Sequence, residues 1–219
     1  MRPASEPMEP KNMADGVVPP RVVVFDLGKV LLDFDYNRAA LAFAARGKLT
    51  APEVRQLIDH SPLLYRFETG LMTSEQFFAE VRQGTGFNGT FDDFKLIFAD
   101  IFEPIPEMIE LHATLRKAGV PTYIFSNTND LAISHIRRRY PFFSQFDGYI
   151  FSYEQGAMKP DARIYEAIEG LTGHRGADII YLDDRADNVA GGTTRGWRAV
   201  LHEAPAKTIG ILRAAGLLS

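Results

Sequence analysis

The chain has 219 residues, 46% hydrophobic and 24% charged, with 24 basic and 28 acidic side chains for a net charge of −4. This suits one large domain, or a core domain with a smaller insert, around a sizeable core, and gives no electrostatic basis for binding nucleic acid or an anionic membrane. The lack of cysteine excludes disulfides, thiolate catalysis and cysteine zinc sites and is compatible with a reducing, cytoplasmic setting; no apolar run approaches bilayer length, and the N-terminus lacks a signal-peptide pattern.

Residues 1–20 carry five of the thirteen prolines and little apolar periodicity, and read as a flexible leader. Val22-Val23-Val24-Phe25 is then a strand with no polar alternation, as expected when both faces are buried in a parallel sheet. It ends abruptly on Asp26, with Gly28 two residues later. Residues 30–35 are too short and acidic for a helix and predict a tight turn or small hairpin beside Asp26.

From Tyr36 to Ile105 apolar residues recur at helical spacing: Leu41, Ala44 and Ala45; Val54, Leu57 and Ile58; Phe77, Phe78 and Val81; Phe94, Ile97, Phe98 and Ile101. Breaks at Pro52, Pro62, Gly70, Gly84 to Gly86 and Pro104 divide this stretch into four or five short helices. Thr73 with Gln76 three residues on predicts a capped helix start. The phenylalanines at this spacing predict a core of their own.

From Pro106 helices and strands alternate. Helices are expected over 109–117, 131–139, 161–171, 186–195 and 207–215, and strands over 121–125, 148–152, 178–182 and 197–201. The pattern predicts an α/β fold: a doubly wound, Rossmann-like parallel sheet formed by residues 21–35 and 106–219, with a small helical subdomain, 36–105, inserted after the first strand.

Polar clusters close three strands: Asp26, Ser126-Asn127 and Asp183-Asp184. A fourth, Met158-Lys159-Pro160, lies between a strand and a helix. In a parallel sheet such positions share one edge and converge. Clustered carboxylates suit a hard cation such as Mg²⁺; a hydroxyl, an amide and a lysine suit phosphate oxygens. Asp26 is a metal ligand, a nucleophile or both. Each residue also has a plainer reading. Asp26 could cap a turn, Ser126 and Asn127 could cap the next helix, and Asp183 and Asp184 could favour a helix N-terminus. Lys159 could be a solvated loop lysine, and Asn188 could orient a metal-bound water or close its turn. The five histidines show no paired metal spacing.

The ordered set Phe25-Asp26-Leu27-Gly28-Lys29-Val30, Phe125-Ser126-Asn127-Thr128-Asn129, Lys159-Pro160 and Leu182-Asp183-Asp184-Arg185-Ala186-Asp187-Asn188 resembles the four motifs of the haloacid dehalogenase-like hydrolases. Within them it resembles the bacterial α-D-glucose-1-phosphate phosphatase group. The resemblance implies Asp26 as a nucleophile taking the phosphoryl group. It implies Mg²⁺ held by Asp26, the Gly28 carbonyl and Asp184, with Asp183 nearby or ligating through water. Ser126, the Asn127 backbone and Lys159 would hold phosphoryl oxygens, and Lys159 would also serve catalysis by neutralising charge.

Most phosphatases of that superfamily carry a second aspartate two residues after the nucleophile, as proton donor. Gly28 stands there instead, as in the glucose-1-phosphate group. Lys29, Asp33 and Asp35 are candidate substitutes. Tyr36, Arg38, Tyr65 and Glu68 are candidate substrate contacts from the insert. The expected activity is Mg²⁺-dependent hydrolysis of a small phosphoester, a sugar 1-phosphate being favoured by its better leaving group. The alternatives are a catalytically silent binding or interaction protein on the same scaffold, supported by Gly28, and a metal-independent dehalogenase, opposed by the Asp183-Asp184 pair.

Overall fold

A computed structural model describes residues 18–59 and 61–218. In chain order these form β1 (Val22–Phe25), β2 (Leu32–Phe34), α1 (Tyr36–Ala44), α2 (Ala51–Ile58), α3 (Pro62–Glu68), α4 (Ser74–Thr85), α5 (Phe91–Ala99) and β3 (Phe102–Pro104). There follow α6 (Pro106–Lys117), β4 (Thr122–Ser126), α7 (Asp130–Arg139), β5 (Gly148–Phe151), α8 (Ser152–Gln155), α9 (Ala162–Thr172), β6 (Ile179–Asp183), α10 (Ala186–Thr194), β7 (Arg198–Leu201) and α11 (Pro205–Ala214).

The main sheet has the order β5-β4-β1-β6-β7, all neighbours parallel. β1 is its central strand. Val23 and Phe25 point to one face, packed with Met108, Leu111, Ile133 and Leu212 from α6, α7 and α11. Val22 and Val24 point to the other, packed with Ile164, Ile168 and Trp197. Alternate side chains therefore enter two different cores, which is why the strand has no polar alternation. From β1 the chain builds β4 and β5 on one side and then returns to build β6 and β7 on the other. The reversal opens a crevice at the carboxyl end of β1, where Asp26 lies.

The expected turn after β1 is present: Leu31 and Leu32 both donate to the Leu27 carbonyl, at 3.0 and 2.9 Å. The expected local hairpin is not. β2 pairs antiparallel with β3, Phe34 facing Phe102, so the partner strand arrives only after five helices. This two-stranded ribbon carries the chain into and out of the helical segment. A three-residue partner so far along the chain has no signal of its own in the sequence.

The helices α1 to α5 surround their own core, in which Phe43, Phe67, Phe77, Phe87, Phe94 and Phe98 are buried. Phe67 stacks on Phe77 at 4.3 Å. Each buried ring contributes on the order of 1.5–3 kcal/mol relative to exposure. The predicted cap of α4 forms: Thr73 Oγ1 accepts from Gln76 N, and Gln76 Oε1 accepts from Thr73 N at 2.9 Å. α1 turns differently from expectation. Its inner face is Ala39, Ala40 and Phe43, while Leu41 is 63% exposed; the two alanines let α1 lie close on its neighbours.

The helical core is docked on the sheet. Leu131 of α7 joins it, Ser74 Oγ donates to Asp130, and the Tyr140 hydroxyl donates to the Phe102 carbonyl at 2.5 Å. Of the expected leader, residues 1–17 lie outside the described residues. Residues 18–20 are laid against the sheet, with Arg198 donating to the Val18 carbonyl at 2.6 Å. Among the described residues no helix is long and apolar enough to cross a membrane.

Gly70 lies in the loop between α3 and α4 with φ +70°, and a Cβ there would sit 2.2 Å from the Tyr153 carbonyl oxygen of α8. Backbone meets backbone, so neither side can give. Gly70→Ala is expected to destabilise the protein by roughly 1–3 kcal/mol, measured by urea denaturation; an unchanged midpoint would show that this contact does not dock the helices.

Candidate active site

Asp26 leaves β1 with its backbone N–H bound to the Leu182 carbonyl at 2.8 Å, which fixes it beside the end of β6. Its Oδ1 accepts from Leu27 N at 2.7 Å and meets Lys159 Nζ at 3.0 Å. Lys159 reaches in from the loop between α8 and α9, through a cis peptide to Pro160. Its ammonium also donates to Asp183 Oδ2 at 2.7 Å and to the Phe125 carbonyl at 2.8 Å. The three side chains are only 1% (Lys159), 11% (Asp26) and 0% (Asp183) exposed, so their charges interact with little screening. The solvated-loop reading of Lys159 is thereby excluded.

Asp183 is saturated. Besides Lys159, the Tyr181 hydroxyl donates to its Oδ2, Arg185 N donates to Oδ1 at 2.8 Å, and Asn188 Nδ2 donates to both oxygens at 3.0 and 3.1 Å. Asn188 thus orients Asp183. Asp184, one residue on, is half-buried and faces the cavity. Carboxylate oxygens of Asp26, Asp183 and Asp184 lie within 4.8 Å of one another.

The electrostatics follow from this crowding. Burial pushes the Asp26 carboxyl up to about 7, against the pull of Lys159 and with help from Asp183 and Asp184. Burial and Asp183 also raise Asp184. Burial alone would lower the Lys159 ammonium, but Asp183 and Asp26 hold it above its usual range. Burial likewise works against the Asp183 anion, but Lys159 and its other donors hold it below the usual carboxylate range. Two carboxylates, Asp26 and Asp184, thus remain short of positive charge. Three oxygens of this spacing fit a small hard cation.

Ser126 closes β4 and Asn127 follows it. The Asn127 side chain is tied to the lysine loop in both directions: its Nδ2 donates to the Lys159 carbonyl at 3.0 Å, and its Oδ1 accepts from Lys159 N at 2.8 Å. It is a brace between two loops. The helix cap expected of this stretch is Asn129, whose Oδ1 accepts from Ala132 N at 3.0 Å.

A cavity of about 490 Å³ joins these groups. Asp26, Gly28, Ser126, Asn127, Lys159 and Asp184 line one end; Asp183 lies behind them. The opposite wall comes from the helical segment. Of the insert residues singled out, Tyr36 and Glu68 line the cavity. Arg38 instead pairs with Glu103 in a separate cleft, and Tyr65 is 56% exposed. Of the substitute proton carriers, Lys29 and Asp35 line the cavity, Lys29 paired with Asp33 and Asp35 capping α1 by accepting from Asn37 N at 2.8 Å; Asp33 lines the separate cleft. Tyr181 escaped the sequence reading because a tyrosine in a buried strand reads as core; its position two residues before Asp183, on the same side of β6, was the available signal.

A sequence model of haloacid dehalogenase-like hydrolases matches residues 20–194. The chain belongs to this family. Among curated proteins, the hydrolase is 22% identical over 188 residues to D-ribitol-5-phosphate phosphatase of Bacteroides thetaiotaomicron, covering 83% of this chain and 91% of that protein. Among solved structures it resembles a HAD family enzyme of Bacteroides thetaiotaomicron in complex with magnesium and inorganic phosphate, with TM-score 0.72 and 23% identity over 81% of this chain and 91% of that one. A HAD-like family hydrolase of Porphyromonas gingivalis gives TM-score 0.73 and 23% identity over 89% and 98%.

In this hydrolase the place of a side chain at Gly28 is filled. A Cβ there would lie 2.8 Å from Cε1 of Phe34, whose ring packs on Tyr36 and Phe102 and under the Lys29 ammonium. Gly28→Asp is therefore expected to cost roughly 1–3 kcal/mol from overpacking, and adding Phe34→Ala should remove most of that penalty. Chemical denaturation of the single and double variants checks this; a fully tolerated Gly28→Asp would contradict it.

Proposed function

We propose that the hydrolase is a Mg²⁺-dependent phosphatase acting on a small phosphoester through an aspartyl-phosphate intermediate. The observation that carries this reading is the Asp26–Lys159–Asp183 arrangement beside Asp184. It supplies one cavity-facing carboxylate backed by a fixed cation, with two carboxylates left to share a second cation. Asp26, Asp184 and the Gly28 carbonyl would hold Mg²⁺, with Asp183 behind them. When bound, Mg²⁺ would neutralise charge on the phosphoryl oxygens and restore Asp26 to its ionised form.

The chain's own groups do the rest. An Asp26 carboxylate oxygen attacks phosphorus, and the ester P–O bond breaks with its electron pair leaving on the alcohol oxygen. Water then attacks the phosphoryl group on Asp26, giving inorganic phosphate and the free carboxylate. Lys159, Ser126 and the Asn127 backbone hold the phosphoryl oxygens, and the Lys159 ammonium beside Asp26 lowers the repulsion between the carboxylate and the incoming phosphate. The helical segment, read as a cap domain over residues 36–105 on a core of 21–35 and 106–219, closes the cavity and limits water around the phosphoryl group. A carbon-attacking dehalogenation needs no divalent cation and would leave the repulsion between Asp26 and Asp184 unrelieved.

Gly28 offers no proton, so the leaving oxygen departs unassisted by that position. A missing general acid costs on the order of 10²–10⁴-fold with poor leaving groups. A sugar 1-phosphate, which leaves through an anomeric oxygen, suffers less than an ordinary alkyl phosphate. The magnesium and phosphate complex of the structurally similar enzyme and the named activity of the curated relative support the phosphatase reading.

Turnover of p-nitrophenyl phosphate should require Mg²⁺, vanish with chelator, and fall by at least about 10³-fold in Asp26→Asn. Activity surviving either treatment would overturn the mechanism. Glucose 1-phosphate should exceed glucose 6-phosphate in kcat/KM by roughly tenfold or more; equal or reversed values would overturn the leaving-group argument.

A further inference from the structure

The cavity is larger than a phosphate requires, and its far wall has a chemistry of its own. Tyr36 opens α1, Arg55 lies on α2, Asp59 caps the end of α2, and Glu68 closes α3; all four line the same cavity as Asp26. Arg55 is already committed, donating to Asp59 at 2.6 Å and to Asn37 at 3.0 Å. The Asn129 side chain, which caps α7 directly after the Ser126-Asn127 loop, lies beside Glu68 and draws its carboxyl down against the effect of burial. Glu68 and Asn129 both line the cavity, one from the helical side and one from the phosphate end.

Among the described residues no basic side chain forms an ion pair with Glu68. Burial and the neighbouring Asp59 push its carboxyl up to about 7. Such a group both donates and accepts hydrogen bonds near neutral pH. Tyr36 adds a hydroxyl held well above its usual range by burial and the same two acids, so it stays a neutral donor. The rings of Phe34 and Phe102 also line the cavity. With Arg55 committed to Asp59 and Lys29 to Asp33, and with Arg185 beside Asp184 at the phosphate end, the helical-side wall of neutral and anionic hydroxyl-binding groups disfavours a second phosphate or a carboxylate. It also penalises an isoprenoid or acyl chain, which would leave these groups desolvated and unbonded. Alcohol hydroxyls satisfy both donors and acceptors, and the aromatic rings suit the apolar C–H faces of a polyol.

We propose that Glu68, with Tyr36 and Asn129, forms a subsite for the hydroxyl groups of the substrate furthest from its phosphate, so that the hydrolase selects monophosphates of neutral polyhydroxy compounds, sugars or sugar alcohols. This rests on the phosphatase reading of the same cavity and adds to it the specificity-determining residue. Glu68 takes no part in bond breaking.

The test compares kinetics and binding. In wild-type protein, kcat/KM for glucose 1-phosphate or ribitol 5-phosphate should exceed that for farnesyl phosphate at least tenfold. Glu68→Ala should reduce kcat/KM for the preferred polyol phosphate by about 10- to 100-fold, mainly through KM, and leave p-nitrophenyl phosphate, which has no hydroxyls, within twofold. Glu68→Gln should recover most of the loss. Calorimetry with Asp26→Asn should show weaker binding of the polyol phosphate when Glu68→Ala is added, with inorganic phosphate binding unchanged. Equal losses on both substrates, no loss on either, or a preference for farnesyl phosphate would overturn the subsite. If no phosphoester is turned over, the phosphatase reading fails, and the calorimetric comparison still decides the subsite.

Discussion

A single ammonium group, that of Lys159, sits between the carboxylates of Asp26 and Asp183 in a nearly dry interior, and the rest of the site is arranged to keep it there. Removing one partner from a buried ionic cluster leaves uncompensated charge, at a cost of about 3–5 kcal/mol. The fold distributes the task of avoiding this. β1 and β6 present the two carboxylates side by side, Asn127 clasps the lysine loop on both sides of its backbone, and Tyr181, Asn188 and Arg185 N saturate Asp183. Asp183 is thereby fixed as the inner counter-ion, and Asp26 is the carboxylate of the pair that faces the cavity.

This constraint explains why the central strand carries no polar residue before Asp26. Val22 to Phe25 must fill two cores at once, one under α6, α7 and α11 and one under α9 and α10. Only where the strand ends does the chain reach a place open to a ligand. Gly28 follows from the same crowding: the ribbon that launches the helical segment puts the Phe34 ring where a side chain at position 28 would go. The absence of an acid there is built into the packing.

Much of this was legible in the sequence. The parallel sheet showed itself in the strand–helix alternation after Pro106, and the four or five helices of the insert in the 3.6-residue spacing of apolar residues such as Val54, Leu57 and Ile58 or Phe94, Ile97 and Phe98. Asp26, Ser126, Asn127, Lys159 and Asp184 were found because each closes or follows a strand, and parallel strands end at one edge. What was not legible depends on contacts between distant segments. The β2–β3 ribbon joins two three-residue strands separated by the whole helical stretch. Tyr181 reads as core until Asp183 is seen beneath its hydroxyl. Leu41 lies on the apolar stripe by spacing, but the close packing of Ala39 and Ala40 turns it outward. Arg38 and Glu68 are equally polar in sequence, and only the path of the helices sends one to a side cleft and the other to the cavity.

The central claim is that Asp26, held by Lys159, receives the phosphoryl group. Acid quench of a single turnover, with enzyme in excess over substrate, followed by mass spectrometry of the peptides, tests it directly. Attack by Asp26 predicts a hydroxylamine-labile phosphoryl group on the peptide containing Asp26, present during the turnover and gone at its end. Substrate converted to phosphate with no phosphoryl group on Asp26 at any quench time, or with the group on another residue, would contradict the account.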